Sequence, residues 1–454
     1  MATAKLDKAY SANASGSGQT YTFSVWVKRA ILGAEHCIIS ADATSVVDGG
    51  QSGRDFLRFE SSDELSFRVN GGTQGNLTTN RIFRDVNAWY HIVVQYSSTD
   101  GTSGDRIRMY INGTRETSFS TSTFPSQNYA SEFPQNTTTT RVGGDVQGSG
   151  SRFDGCMADF YFCDGQALDQ NSFGEFDSNG VWKPKINPSL TFGTNGFKLE
   201  FANDSNMGLD TSGSSNNFTT SGTIIQNKDT PTNNHPTINK LDRRTNDMTV
   251  TNAGNTGETN ASVYTPGTMS LGADSGKWYW EIKVASKTGS SDWHMLGIMG
   301  QTRRESNVYL GQVVDQYGYY GLNGYSYTNN SGTSYGNSYG VGDIIGIAMD
   351  LDNNKLYFHK NGTYQNSGVP TSGSTGTGAI SITAASATDD GFYRPAICYF
   401  DGSTKATYQC NFGNGYFGTT KITSAGSNGN GSLFEYDVPT GYYALNTKNL
   451  KDQS

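Results

Sequence analysis

The sequence predicts an all-β protein, two antiparallel β-sandwich (jelly-roll) domains in tandem, on three observations. Composition is the first: 56 Gly, 26 Tyr and 23 Phe stand among 454 residues, and only 16% are charged. Helical proteins favour Ala, Leu, Glu and Lys, whereas this mixture suits strands joined by tight turns. The second is period-two alternation, as in "YTFSVWVKR" (21–29), the pattern of a half-buried strand. The third is punctuation, since clusters such as "NGG" and "TDGTSGD" separate the apolar runs. The aromatics provide enough surface for burial to exclude a disordered chain.

Taken in order, "DFLRFE" (55–60), "ELSFRVN" (64–70), "WYHIVVQY" (89–96), "RIRMYING" (106–113) and "MADFYFC" (157–163) continue the first strand set. "DQNSFGEFD" (169–177) is its one helical turn, and "FKLEFA" (197–202) closes it. Residues 204–246 are polar and proline-bearing, so they read as a crossover between a domain at 1–203 and a second at 247–454. The second set includes "KWYWEIKV" (277–284), "MLGIMG" (295–300), "IIGIAMD" (344–350), "LYFHKNG" (356–362) and "YRPAICYF" (393–400). The halves echo one another. "WYHIVVQY…RMYINGT" and "IIGIAMD…LYFHKNGT" each give an apolar strand, a turn, and a strand ending Asn-Gly-Thr, and Asn-Gly accepts the positive φ of a tight hairpin.

"DLDNNKLYFHKNG" (350–362) opens like a calcium loop, with Asp350, Asp352 and Asn354 at alternate positions. Such a loop needs Gly at its sixth position and Glu at its twelfth, where Lys355 and Asn361 stand. The stretch is therefore expected to be a hairpin. Asp100, Asp105 and Asp154 sit beside glycines and read as turn residues, so no metal or other cofactor is expected.

The formal charge of −8 is spread without basic runs, which argues against nucleic acid as a partner. No apolar run reaches the ~20 residues of a membrane span, and the start lacks a signal-peptide core. The cysteines, Cys37, Cys156, Cys163, Cys398 and Cys410, form no CxxC and are expected as buried thiols. His36, His91, His235, His294 and His359 are scattered without ligand spacing, so a structural role is expected of them.

No catalytic residue is expected. A retaining glycosidase needs two carboxylates about 5 Å apart. Glu175 and Asp177 in "EFDSNG" are followed by Asn179 and Gly180, not by a further glutamate, and "EYDVPT" (435–440) fails in the same way. The chemistry of recognition lies instead in "YGYYGLNGYSYTNNSGTSYGNSYG" (317–340), where tyrosines alternate with Gly, Asn and Ser. Tyr317 and Tyr319 read as core, and Tyr325, Tyr327 and Tyr335 as ligand-binding loop residues.

"GKWYWEIKV" (276–284), "LGI" (296–298), "YGYYG" (317–321), "GDIIGIAMDLDNNKLYFHKNG" (342–362) and "RPAICYF" (394–400) resemble the SPRY domain, which implies a bent two-sheet sandwich used for recognition. "YTFSVWVKR", "NAWYHIVVQYS", "MYINGT" and "RFDGCMADFYFCDGQAL" (152–168) resemble LamG-type, concanavalin-like jelly rolls. The two in this order, with "FGEFDSNGVWKPK" (173–185) and "DTPTNN" (229–234) at the junction, resemble virion proteins of marine tailed phages. That resemblance implies a surface appendage, a tail fibre or a capsid decoration, adhering to host-surface glycan and touching other virion subunits. It implies a homo-oligomer in the virion, made in the bacterial cytoplasm, with no enzymatic activity, nucleic-acid partner or membrane insertion. The other readings are a concanavalin-like polysaccharide depolymerase and a purely structural decoration without host ligand.

Overall fold

In the computed structural model the chain is described at residues 4–43, 53–147, 150–242, 248–259, 266–300, 308–399 and 404–453. It divides into two compact units, Met1–Gln226 and Asn227–Ser454. Strands dominate both, and the one α-helix among the described residues is short, Thr447–Gln453. Each unit is a sandwich of sheets whose strands pair antiparallel, as the alternation and turn signals require, save the short parallel pairing of Tyr443–Ala444 with Trp278 and Tyr279.

In the first unit an eight-stranded sheet runs from edge strand Phe119–Thr123 to edge strand Thr219–Ser221. A six-stranded sheet lies in the order Phe197–Leu199, Gly155–Asp164, Thr20–Arg29, Trp89–Ser97, Ile107–Ile111, Thr114–Arg115. Tyr21, Phe23, Val25 and Val27 from the second sheet pack with Ile39, Leu57, Phe67 and Leu77 from the first in one core. Alternate residues of a strand share a face, so those four core residues are the odd positions of "YTFSVWV".

The even positions were expected in solvent and are not. Thr22, Ser24 and Trp26 are as buried as their neighbours. The reason is a strap, residues 165–192, laid over the outer face of this sheet. Leu168, Phe173, Leu190 and Phe192 pack there with Val93, Tyr110 and Tyr161. The expected helical turn is present in the strap as a single 3-10 turn, Gln170–Ser172.

The second unit follows the same plan. Lys277–Lys287, Ile344–Asp350, Lys355–Lys360 and Ala406–Asn411 form the middle of a nine-stranded sheet. A six-stranded sheet contains Arg394–Tyr399, His294–Met299, Gln316–Tyr320, Tyr325–Thr328 and, at its edge, Ser331–Ser334. Ile282, Ile345, Ile347 and Phe358 meet Leu296, Ile298, Tyr319 and Ile397 in the core. Here too a strap seals an outer face: Phe434, Val438 and Tyr442 cover Tyr279 and Tyr357.

The polar segment 204–246 is shared between the units. Thr219–Ser221 pairs with Lys5–Ala9, and Phe218 meets Phe197 edge-on at 4.8 Å. Ile238 joins the second core, and the His235 ring bonds the Phe412 carbonyl at 3.1 Å. Residues 243–247 lie outside the described residues. Polarity hid these anchors, because one buried Phe or Ile in a run of Asn, Ser and Thr barely alters composition.

The stretch at 350–362 is a hairpin. Asp350 pairs with Lys355 across a four-residue turn, and Asn354 takes a φ of 54°. The buried Asp350 carboxylate accepts from the Asn353 backbone N–H at 3.0 Å and from the Asn353 amide at 2.8 Å. The residue that looked like a first metal ligand closes its own turn.

Candidate functional site

The tyrosine-rich stretch forms a hairpin at the sheet edge. Tyr325–Thr328 pairs with Ser331–Ser334 across Asn329 and Asn330, whose φ values of 47° and 58° make a two-residue turn of the hairpin-favouring hand. Tyr325 is 37% exposed, and Leu322 in the preceding turn is 47% exposed. Tyr325 and Tyr327 are two residues apart and share a face. Tyr327 stands edge-to-face against Tyr309 at 5.9 Å and Tyr320 at 5.6 Å, which fixes its ring. The Tyr309 hydroxyl donates to Asn330 Oδ1 at the hairpin tip.

Tyr335 corrects the expectation made for it. It is 6% exposed, its hydroxyl oxygen accepts the Phe358 N–H at 3.1 Å, and its ring meets those of Tyr319 and Phe358 edge-on. The chain turns inward directly after the hairpin, where the N–H groups of Tyr335 and Gly336 both donate to the Gly324 carbonyl. Gly324 makes this close approach possible: its φ is 75°, and a Cβ there would lie 1.9 Å from the Gly336 carbonyl oxygen. Tyr317 and Tyr319 are core residues, as read. Of the three tyrosines singled out, two remain at the surface, Tyr325 exposed and Tyr327 half-buried.

A second candidate lies in the first unit and was not anticipated. An open cleft of about 530 Å3 lies between the strap's first turn and the edge strand Thr114–Arg115 with its neighbour Ile107–Ile111. Gln95, Arg108, Tyr110 and Arg115 line one side, and Leu168, Asp169 and Ser172 the other. Arg108 is held at all three nitrogens: Nε to Asp105 at 3.1 Å, Nη1 to Gln95 at 3.3 Å, Nη2 to Asp100 at 3.3 Å. Arg115 reaches Asp105 at 2.7 Å. Hydrogen bonds from Arg108 and Arg115 hold the Asp105 carboxyl below the usual carboxylate range, and burial raises the Tyr110 phenol. The available signal was the outward register of Gln95 and Arg108, paired across the two strands.

The carboxylates weighed for catalysis have structural tasks. Asp177 accepts the N–H groups of Asn179 at 2.9 Å and Val181 at 3.0 Å, and Glu175 faces Lys183 at 3.7 Å. Glu435 accepts the Thr423 N–H at 2.8 Å, and Asp437 accepts that of Ser427 at 2.6 Å. Asp100 binds the Thr102 N–H at 2.9 Å. Among the described residues, no three His, Cys, Asp or Glu side chains gather as a metal site. All five cysteines are buried free thiols.

Two buried histidines have ordered surroundings. The His91 ring accepts the Trp182 indole N–H at Nδ1 and meets Ser24 Oγ through Nε2 at 2.8 Å. The His359 ring accepts the Gly362 N–H at Nδ1, 3.0 Å, and meets the Tyr279 hydroxyl through Nε2 at 2.7 Å. Tyr279 donates onward to Glu281 at 2.9 Å. Burial pushes both rings down to about 3, so each is neutral and structural at neutral pH.

With this geometry in view, comparison with known proteins divides the chain as the fold does. Residues 5–171 match the Laminin_G_3 family of the concanavalin A-like lectin/glucanases superfamily, and residues 277–415 match the SPRY domain. The chain carries a concanavalin-like domain followed by a SPRY domain. Ran-binding protein 9 of Homo sapiens is 34% identical over 96 residues, 21% of this chain and 13% of that protein. Ran-binding protein 10 of Danio rerio is 32% identical over 96 residues, 21% of this chain and 16% of that protein. The matched stretch thus spans less than a fifth of these relatives. Among solved structures, the SPRY domain of human HERC1 is 16% identical with a TM-score of 0.29, over 36% of this chain and 91% of that one. A heptameric SAP-like pentraxin of Limulus polyphemus is 18% identical with a TM-score of 0.27, over 36% of this chain and 71% of that one. The two domain types together point to a role in binding or adhesion.

Proposed function

We propose that the chain is a non-catalytic adhesion protein, a surface appendage of a tailed-phage virion that binds host-surface glycan and contacts neighbouring virion subunits. The observation that carries the adhesive part is the hairpin 325–334, which presents the exposed Tyr325 beside a Tyr327 ring already fixed by two neighbours. A fixed ring loses little conformational freedom when a sugar face stacks on it, and the flanking Asn, Ser and Thr offer adaptable hydrogen bonds. The order of the two domains and the sequence of their junction support the virion part. Weak single contacts gain strength when many copies engage one cell surface. The turn-closing roles of Asp177, Glu435 and Asp437 support the absence of catalysis.

The test is gold-labelled antibody against this chain on intact particles of the virus that encodes it, viewed by electron microscopy. Label at the tail assigns a receptor-binding fibre, and label over the head assigns a capsid appendage. Particles without label overturn the virion reading.

A further inference from the structure

We infer that the cleft at Tyr110 in the first unit is a second ligand site, and that it takes an uncharged saccharide ring rather than an acidic one. The inference shares its ligand class with the adhesion reading but concerns different residues in a different unit. Its argument is a balance of charge and of hydrogen-bonding capacity.

Each guanidinium in the cleft is already answered. Arg108 faces Asp100 and Asp105, and Arg115 faces Asp105. Asp169 adds a further carboxylate, which accepts the Asn171 N–H at 3.0 Å and so stays in place. A sulfated or carboxylated sugar entering here would meet Asp105 and Asp169 with no unanswered cation to offset them. Anionic polymers are disfavoured for that reason.

Beside the Nε and Nη1 of Arg115, whose charge Asp105 balances, uncharged groups remain open. Among the described residues, the Tyr110 hydroxyl, the Ser172 hydroxyl and the Gln95 amide nitrogen have no hydrogen-bond partner within the protein, yet all three residues line the cleft. They come from both walls, Gln95 and Tyr110 from the sheet and Ser172 from the strap. Both hydroxyls donate and accept, the amide donates, and Leu168 gives an apolar wall. Adjacent sugar hydroxyls present donors and acceptors in the same alternation. The sheet residues are fixed in advance: Gln95 and Tyr110 are 6% and 8% exposed, and Gln95 is held by Arg108. A volume of about 530 Å3 is ordinary for a small-ligand site.

The experiment is saturation-transfer NMR and calorimetry on the full chain with the methyl glycosides of glucose, galactose and mannose, set against glucuronate and galactose 6-sulfate. At least one neutral glycoside is expected to bind, and neither acidic sugar to bind more tightly. Tyr110→Phe and Ser172→Ala each remove one hydroxyl and are expected to weaken binding about fivefold, the effect of one lost hydrogen bond. Tyr325→Ala is expected to leave that affinity unchanged. No neutral binding, tighter binding of the acidic sugars, or indifference to both hydroxyl deletions would overturn the cleft site. A loss confined to Tyr325→Ala would also overturn it, while leaving the hairpin adhesion reading intact.

Discussion

Trp182 donates its indole N–H to Nδ1 of His91 at 2.9 Å, and its ring covers Gly113, where a Cβ would lie 2.3 Å from an indole carbon. Because Nδ1 accepts, the proton of the neutral ring sits on Nε2 and is donated to Ser24 Oγ. One strap residue thus closes both a buried histidine and a tight turn. Trp182→Phe is expected to leave Nδ1 without its donor and to open space over Gly113, at about 2 kcal/mol. Urea unfolding of the full chain would show this as an earlier transition of the first unit, with the second unchanged.

The His91 ring also sets a pH dependence. Its folded value of about 3 lies below the ordinary 6.5, so between these the unfolded chain binds more protons. The contribution is intact above about 6.5 and is lost progressively as pH falls toward 3. In His91→Gln this slope is expected to flatten for the first unit. An unchanged slope in the unfolding midpoint between pH 6.5 and 4 would contradict it.

The Gly113 turn also shows what sequence could and could not reveal. The Asn-Gly-Thr echo was legible, and its two turns prove equivalent in detail. Asn112 accepts the His91 N–H at Oδ1 and donates its own N–H to the His91 carbonyl; Asn361 does the same with Ile344. Such bonds are local to a strand pair, so residue type and spacing encode them. The aromatic lids are not local. Trp182 lies far along the chain from Gly113, and Tyr436 likewise lies far from Gly362, where it takes the same position. Alternation therefore found strands such as Thr20–Arg29 with its inner face, but not His36–Ala43, Gly75–Ile82, Thr138–Val142 or Ala406–Asn411. It also gave no sign that straps would bury Ser24 and Trp26 as well. The cleft escaped for the same reason, since its two walls come from segments about 60 residues apart.

Tyr335 and Tyr325 separate core from surface within one tyrosine-rich run. Tyr335→Ala removes a buried ring and the acceptor of the Phe358 N–H, and is expected to cost about 3–5 kcal/mol. Tyr325→Ala is expected to stay within about 0.5 kcal/mol. Thermal unfolding of the two variants checks the order. Equal losses would mean that Tyr325 packs as core and is no candidate for ligand contact.

Glu281 is a fully buried acid. It accepts the N–H groups of Glu435 at 2.9 Å and Tyr436 at 2.8 Å, the Tyr279 hydroxyl at 2.9 Å, and Asn411 Nδ2 at 3.3 Å. It thereby clips the C-terminal strap to the sheet. Burial outweighs these donors and pushes the acid up to about 7, from an ordinary 4.5. Between those values the folded state binds more protons than the unfolded one. The contribution is therefore full below pH 4.5 and falls away as pH rises toward 7. His359, Tyr364 and Tyr436 surround the same site, and the lowered His359 acts in the opposite sense, so a single pH curve mixes the two. Comparison with Glu281→Gln isolates the acid. The wild-type advantage is expected to shrink by up to about 3 kcal/mol across this window, read from the second unit's unfolding midpoint. A difference that stays flat or grows with pH would show Glu281 ionised throughout.

The thiols give the most direct check of the packing. Cys37, Cys163, Cys398 and Cys410 are fully buried and Cys156 nearly so. Burial alone pushes Cys163 and Cys410 up to about 12, and Cys398 reaches the same range mainly through burial. Only the thiolate reacts with an aromatic disulfide reagent, and at pH 8 these groups are protonated as well as enclosed. Native protein is therefore expected to release no colour with Ellman's reagent over minutes. After denaturation in guanidinium all five thiols should titrate, with or without prior reduction. Fewer than five in the unreduced sample would place a disulfide where the fold has free thiols, and rapid native reaction would place a cysteine at the surface.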